Sequence, residues 1–467
     1  MPYQLLIGGR LVDGASTLDV VNPATGAVFA TCARADAAQL EGAVAAAKDA
    51  FPAWAKLSFA ERSALVSRLA DAIEARLEDF ARTLTAEQGK PLPDARLETK
   101  GAVAGLRYFA GLDLQMELRS ETETERTYEQ YTPLGVVAAI APWNFPLLLM
   151  AMKVAPALCV GNTMVIKPAP TTPLTTAMLG EAAAGIFPAG VLNVIIDDND
   201  LGALLTAHRD IAMVSFTGST ATGKRVMESG ASMIKRLLLE LGGNDAAIIL
   251  DDMAASEAAP KVLASAMANA GQICIATKRI YAPRAMYDDL CTEMGRLADE
   301  IIVGDGLDQG TQMGPLQNRA QYERVKGLIA EAAREGTIVA GGEPTGENGY
   351  FVAPTIVRDL PDSARLVREE QFGPVVPILP YDDIDELMTR VNDTDYGLAA
   401  TIWTKNIERG IDVARKVQSG TIFVNKQPGG GFDMPFGGAK QSGLGRSNGI
   451  EGLKEYAQAH IINVAIG

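Results

Sequence analysis

Residues 135–170 read GVVAAIAPWNFPLLLMAMKVAPALCVGNTMVIKPAP. A five-residue apolar run, VVAAI, leads into a longer apolar stretch interrupted by Lys153, Pro156 and Asn162, and then into a second short run, TMVIK. Short apolar runs separated by helix-length segments are the mark of βαβ units and a parallel sheet. The pattern extends outward through VLNVII, IAMVSFTGS and IKRLLLELGG, then resumes at AAIIL (residues 246–250) and runs to about Val424. The expected fold class is α/β, with two doubly wound, Rossmann-like lobes joined near residues 240–244.

On the N-terminal side, a short strand and the turn NPATG (residues 22–26) precede an Ala-rich helix around residues 37–54. A second helix starts near Ser58 and places Leu65, Leu69, Ile73, Leu77 and Phe80 at helical spacing. The polar stretch ELRSETETERTYEQY (residues 117–131) reads either as an exposed loop or as a protruding hairpin. The closing AQAHIINVAIG has the makings of a further strand.

At 467 residues the chain is long enough for two or three domains of roughly 100–200 residues each. With 48% hydrophobic and 21% charged residues it is globular rather than disordered. A net charge of −15 argues against nucleic acid or an anionic membrane surface as partner. The four cysteines, Cys32, Cys159, Cys274 and Cys291, show neither disulfide nor zinc spacing, so no metal is expected. The first residues show no basic segment followed by an apolar core, and the most apolar window is interrupted, so neither a signal nor a membrane span is expected. A cytoplasmic protein with reduced thiols fits best.

Cys274 lies in ANAGQICIAT (residues 268–277). A cysteine nucleophile needs a base or a lowered pKa. The chain has only two histidines, His208 in a helix-to-strand turn and His460 in the tail, so a carboxylate is the better candidate. Glu240, in LLLELGGND, ends an apolar run, where desolvation raises a carboxyl into the range of a base near neutral pH. Asn144, in APWNFPLLL, follows a strand end and carries an amide that can donate to an oxyanion. In FTGSTATGK (residues 216–224) a strand runs through Gly218 and Gly223 into a helix, a generic phosphate-binding arrangement. Taken singly, each of these also reads as ordinary packing or a turn.

Together the stretches PWNFP, KPAP, FTGST, ELGGN, GQIC, EEQFGPV and PFGGAKQSGLGR, in this order over essentially the whole chain, resemble the aldehyde dehydrogenase superfamily. The resemblance implies a dinucleotide-binding domain over residues 1–114 and 134–241. It implies a catalytic domain over 242–441 and a β oligomerisation element over 115–133 and 453–467. It makes Cys274 the nucleophile, Glu240 the general base, Asn144 the oxyanion donor and Lys153 an aid to proton movement. Trp143, Lys167, Pro170, Gly218, Ser219, Gly223, Leu241, Glu370 and Phe372 become the cofactor-binding positions. The implied activity is oxidation of an aldehyde to the carboxylic acid with NAD, by way of a thiohemiacetal and a thioester, in a homodimer or homotetramer.

Three departures qualify the match. Pro170 stands where many NAD-preferring relatives carry a glutamate that repels a 2′-phosphate, so NADP use is possible and Lys167 is a cation that could meet it. Glu451 is one residue past the position of a second family acid and is expected to point elsewhere. VIIDDNDLG (residues 194–202) carries three aspartates where relatives often carry glycines. Around the nucleophile, Ile273, Ile275, Met152, Leu148 and Leu149 favour an apolar or aromatic aldehyde, with Lys426 the one nearby cation. Two alternatives stay open: a CoA-acylating aldehyde dehydrogenase, against which Glu240 counts, and a cysteine acyltransferase or hydrolase needing no dinucleotide.

Overall fold

The computed structural model describes residues 3–345 and 348–466. Its larger sheet has eight strands in the order Arg10–Val12, Leu5–Ile7, Leu192–Val194, Thr163–Lys167, Val136–Ile140, Ile211–Thr217, Arg236–Glu240 and Gly443–Leu444. The five strands from Leu192–Val194 to Arg236–Glu240 are parallel, and antiparallel strands close both edges. Val136–Ile140 is buried along nearly its whole length, as a central strand covered on both faces should be. The second sheet runs Thr337–Ala340, Thr355–Arg358, Val375–Tyr381, Arg279–Pro283, Ala246–Ile249, Ala399–Trp403 and Thr421–Val424, and only its first pair is antiparallel.

The N-terminal region holds more structure than its sequence pattern suggests. The turn at residues 22–26 joins two strands, Ser16–Asn22 and Ala27–Arg34. Asn22 Oδ1 accepts from Ala24 N, and Gly26 takes a left-handed φ of +69°. The single helix expected from Ser58 through Phe80 is two, Phe59–Glu74 and Leu77–Gln88, which bury Leu69 and Ile73 in the first and Phe80 in the second. The helices Ala37–Trp54 and Phe59–Glu74 start on capping boxes, Asp36 with Gln39 and Ser58 with Glu61. Each such cap contributes about 1 kcal/mol.

The polar stretch after residue 116 is a hairpin. Glu117–Glu121 pairs with Glu125–Pro133, and the C-terminal strand Ala457–Ala465 pairs along the whole of the latter. Every residue of the outer strand Glu117–Glu121 is exposed.

Candidate active site

Val136–Ile140 and Ile211–Thr217 are neighbours in the sheet, yet the chain visits Thr163–Lys167 and Leu192–Val194 between them. This reversal opens a crevice at the carboxyl ends of the strands, where open α/β sheets hold ligands. Asn144, Lys167, Gly218, Ser219 and Glu240 all lie at those ends. Residues 241–245 then carry the chain from the end of Arg236–Glu240 to the start of Ala246–Ile249. Cys274 precedes Arg279–Pro283 and Glu370 precedes Val375–Tyr381, so both sit at the amino edge of the second sheet. The two edges meet across one cleft.

The loop before Cys274 is strained. Asn269, Ala270 and Gly271 have φ of +50°, +54° and +70°, a run that costs free energy at the two non-glycine positions. Only glycine fits at 271, where a Cβ would lie 2.2 Å from the Gly373 carbonyl oxygen, and at 243, where it would lie 2.8 Å from that of Cys274. Lys278, buried, holds the loop from beneath. Its Nζ donates to the carbonyls of Ile273, Cys274 and Ala276 at 2.6, 2.7 and 2.9 Å. Cys274 is partly exposed. Burial of the thiol pushes it up to about 12, against the pull of Lys278 and with added repulsion from Glu240, Asp245 and Glu370. Among the described residues the Cys274 N–H has no protein acceptor.

Asn144 is buried and faces this loop. Its Nδ2 donates to the Gln272 carbonyl at 2.9 Å, and its Oδ1 has no hydrogen-bond partner among the described residues. Its own carbonyl accepts from Lys90 Nζ at 2.9 Å and from Asn269 Nδ2 at 3.2 Å. Lys90 is ion-paired with Glu98, both side chains essentially inaccessible, and sits 3.7 Å from the centre of the Phe145 ring. The other Glu98 oxygen accepts from Leu147 N and Leu148 N at the start of the helix Pro146–Val160. A carboxylate there satisfies orphan N–H groups and the helix dipole together. Beside Asn144, Trp143 packs edge-on against Phe372 with centroids 5.3 Å apart.

Glu240 is buried at its strand end. Ser447 Oγ donates to Oε1 at 3.0 Å, and Oε2 has no hydrogen-bond partner among the described residues. Burial raises this carboxyl, while Lys153, Ser447 and Arg446 draw it down and Glu455 raises it further. Lys153 is lowered by burial and raised by Glu240, and it donates to Ser215 Oγ at 3.2 Å. Ser215 in turn shares a 2.7 Å hydrogen bond with the buried Tyr456 hydroxyl. The stretch PFGGAKQSGLGR clamps the Glu240 strand: Gly443 and Leu444 pair with Glu240 and Leu239, and Leu241 N donates to the Ser442 carbonyl. Glu451 is exposed beside Gly449, and among the described residues it makes no hydrogen bond to Glu240.

Glu370 Oε1 accepts from Gly243 N at 2.9 Å, and a Cβ on Gly242 would stand 2.4 Å from Oε2. Gly223 lets its helix lie against Leu241, where a Cβ would meet Cδ2 at 2.5 Å. Ser219 caps the helix Thr220–Ala231, accepting from Thr222 N at 3.3 Å. Pro170 is partly exposed. Lys167, the cation expected to meet the cofactor's ribose or a 2′-phosphate, has its ammonium 2.6 Å from Asp197.

Leu148 and Met152 point from the helix after Asn144 toward Leu92–Ala110: a Cβ on Gly101 would meet Leu148, and one on Gly105 would meet Met152 and Phe432. Tyr108 lies 6.2 Å from the Phe432 ring. Ile273 and Ile275 are half-buried, and Lys426 is exposed. His208 binds Glu41 at 3.0 Å and His460 binds Gln130, so neither serves Cys274. Cys32, Cys159 and Cys291 are free, buried thiols pushed up to about 12 by burial. Among the described residues no His, Cys, Asp and Glu cluster could hold a metal ion, and no helix is long and apolar enough to cross a membrane.

Sequence reasoning missed Lys278, Ser447 and the Lys90–Glu98 pair. Ser447 and Lys90 act through contacts between segments distant in the chain, Lys278 holds carbonyls a few residues before it, and none lies in a periodic or spaced pattern that would have drawn notice.

The family model described as "Aldehyde dehydrogenase family" matches residues 11–462. The mitochondrial aldehyde dehydrogenase of Leishmania tarentolae is 39% identical, over 99% of this chain and 95% of that protein. The structure of an aldehyde dehydrogenase from Bacillus cereus in complex with NAD+ superposes with a TM-score of 0.97 at 38% identity, over 100% of this chain and 97% of that one. A betaine aldehyde dehydrogenase from Staphylococcus aureus, also with NAD+, superposes at 0.95 with 33% identity, over 99% and 95%.

Proposed function

Because this chain belongs to the aldehyde dehydrogenase family, we propose that it oxidises an aldehyde to the carboxylic acid with NAD+, through a thiohemiacetal and then a thioester on Cys274. The observation that carries this reading is the arrival of Cys274, Asn144, Glu240 and Glu370, from four chain segments, at one cleft over the sheet's switch point.

The chain's own groups suit a dinucleotide. Helix N–H groups after Gly218 and Ser219 would meet its pyrophosphate. Lys167 and Glu370 would hold ribose hydroxyls. Trp143, Pro170, Leu241 and Phe372 would wall the crevice, and Gly223 would keep the helix close. The first sheet, residues 1–114 with 134–241, serves as the dinucleotide-binding domain in this reading, and residues 242–441 carry the nucleophile.

The Cys274 thiolate adds to the aldehyde carbon, and the oxyanion so formed takes hydrogen bonds from Asn144 Nδ2 and the Cys274 N–H. When bound, NAD+ supplies the two-electron acceptor that turns this adduct into a thioester. Glu240 then removes a proton from water, whose oxygen adds to the thioester carbon, and the acid leaves as the Cys274 sulfur is released. Lys153, beside Glu240, assists the carboxylate in passing that proton on.

The apolar surround of Leu148, Met152, Tyr108 and Phe432 favours an apolar or aromatic aldehyde. Free thiols at all four cysteines suit a reducing cytoplasm. The exposed edge strand Glu117–Glu121 suits pairing between subunits in a homodimer or homotetramer. NADH formation and product identity across an aldehyde panel, with and without CoA, test the reading. Free acid formed at the same rate in both arms supports it. Acyl-CoA as the product, or ester turnover without a dinucleotide, overturns it.

A further inference from the structure

Lys167 ends the strand Thr163–Lys167, and its Nζ lies 2.6 Å from Asp197 Oδ1, with the two side chains 4% and 0% exposed. Asp197 Oδ2 accepts from Leu201 N at 2.9 Å, so the carboxylate is fixed from a second side. The Lys167 stem lies against Gly202, where a Cβ would be 3.6 Å from Cε, at the start of the helix Gly202–Ala207. Among the described residues Asp197 Oδ1 meets the ammonium as an ion pair without a hydrogen bond, and the one hydrogen bond Nζ donates goes to the Pro168 carbonyl, at 3.4 Å. Pro170, three residues on, brings neither charge nor a hydrogen-bond donor.

The charges around this corner are unevenly matched. Asp198 and Asp200 are exposed on the same loop as Asp197, and Arg34 is already engaged by Asp200 at 3.0 Å. Among the described residues, the loop's three carboxylates thus share two ion-paired cations, Lys167 and Arg34.

We propose that Asp197 is a cofactor-specificity residue, which makes the Lys167 corner accept the ribose hydroxyls of NAD+ and reject the 2′-phosphate of NADP+. This rests on the reading that the crevice holds a dinucleotide. A neutral hydroxyl accepts from the ammonium and donates to a carboxylate, so an ion pair is a good partner for it. A phosphate drawn to the ammonium is drawn equally close to Asp197. Because the pair is buried, solvent and salt screen that repulsion little. Discrimination therefore does not need an acid at position 170; the aspartate-rich loop supplies it from the other side of Lys167.

The test is calorimetric binding of NAD+ and NADP+, without aldehyde, to the wild type, Asp197→Asn and Asp197→Glu. Asn keeps an acceptor for Leu201 N and removes only the charge. We expect the wild type to bind NAD+ at least about thirtyfold more tightly than NADP+, Asp197→Asn to narrow that ratio at least about tenfold, chiefly by tighter NADP+ binding, and Asp197→Glu to keep most of it. An unchanged ratio in Asp197→Asn overturns the inference and leaves the dinucleotide reading standing. A wild type that binds neither nucleotide overturns both. The wild type alone gives a second measurement that needs no folded variant: adenosine 2′,5′-bisphosphate should bind at least about tenfold more weakly than AMP, and equal or tighter binding overturns the inference.

Discussion

The Ser447 hydroxyl donates to Glu240 Oε1 at 3.0 Å and leaves Oε2 as a buried oxygen with no hydrogen-bond partner among the described residues. One oxygen is held and the other is left for a proton. Glu240 works as a base only when ionised, and burial raises its pKa, so thioester hydrolysis should climb with pH across the neutral range. Ser447→Ala removes a donor that favours the ionised form. The rising limb of the hydrolysis rate against pH should then move to higher pH by roughly half a unit to one unit. A profile that stays put or moves to lower pH contradicts this role.

Gly242→Ala places a methyl where Glu370 Oε2 now sits, 2.4 Å away. Glu370 must swing out and give up its bond to Gly243 N. Titration should show NAD+ affinity falling by roughly tenfold or more, the worth of one charge-assisted hydrogen bond. Alkylation of Cys274 by iodoacetamide should proceed as in the wild type. Unchanged NAD+ affinity would remove Glu370 from the cofactor site.

Lys278→Met leaves three carbonyls of the nucleophile loop without their common donor. Unpaired buried acceptors cost about 1–3 kcal/mol each in the worst case, and partial rehydration of the loop brings the expected total loss to about 2–4 kcal/mol. Thermal melting followed by circular dichroism should show a clear drop in Tm, and Cys274 should lose selective reactivity. A melting curve like the wild type's would mean that the loop holds its shape unaided.

Residues carried on short local motifs are legible in the chain as candidates. PWNFP, ELGGN and GQIC announce Asn144, Glu240 and Cys274, and the strand-helix alternation announces both sheets. What could not be read was the support beneath them. Ser447 meets Glu240 across 207 residues of chain, and Lys90 meets Asn144 across 54. Such partners are chosen by the assembled fold, and a lone Lys or Ser carries no spacing that reveals it. Lys167 shows the same limit from the other direction: its sequence marks a cation, and only the folded loop reveals Asp197 beside it.

The outer strand Glu117–Glu121 leaves a row of backbone groups unpaired, with Leu118 49% exposed. Light scattering should report a dimer or tetramer for the wild type. Leu118→Pro, which denies the edge a donor, should shift it toward smaller species. A monomeric wild type at working concentration contradicts the assembly.

The central claim is that Cys274 carries an acyl group which Glu240 releases. Glu240→Gln should keep the nucleophile and lose the base, slowing turnover by roughly 10²–10⁴-fold. Rapid mixing of this variant with aldehyde and NAD+, followed by acid quench and mass spectrometry of the intact chain and its peptides, tests the claim most directly. The account predicts a burst of about one NADH per active site, matched by an acyl adduct on the Cys274 peptide and followed by slow release of acid. A variant that produces neither burst nor adduct, or that carries its adduct on another residue, would contradict it.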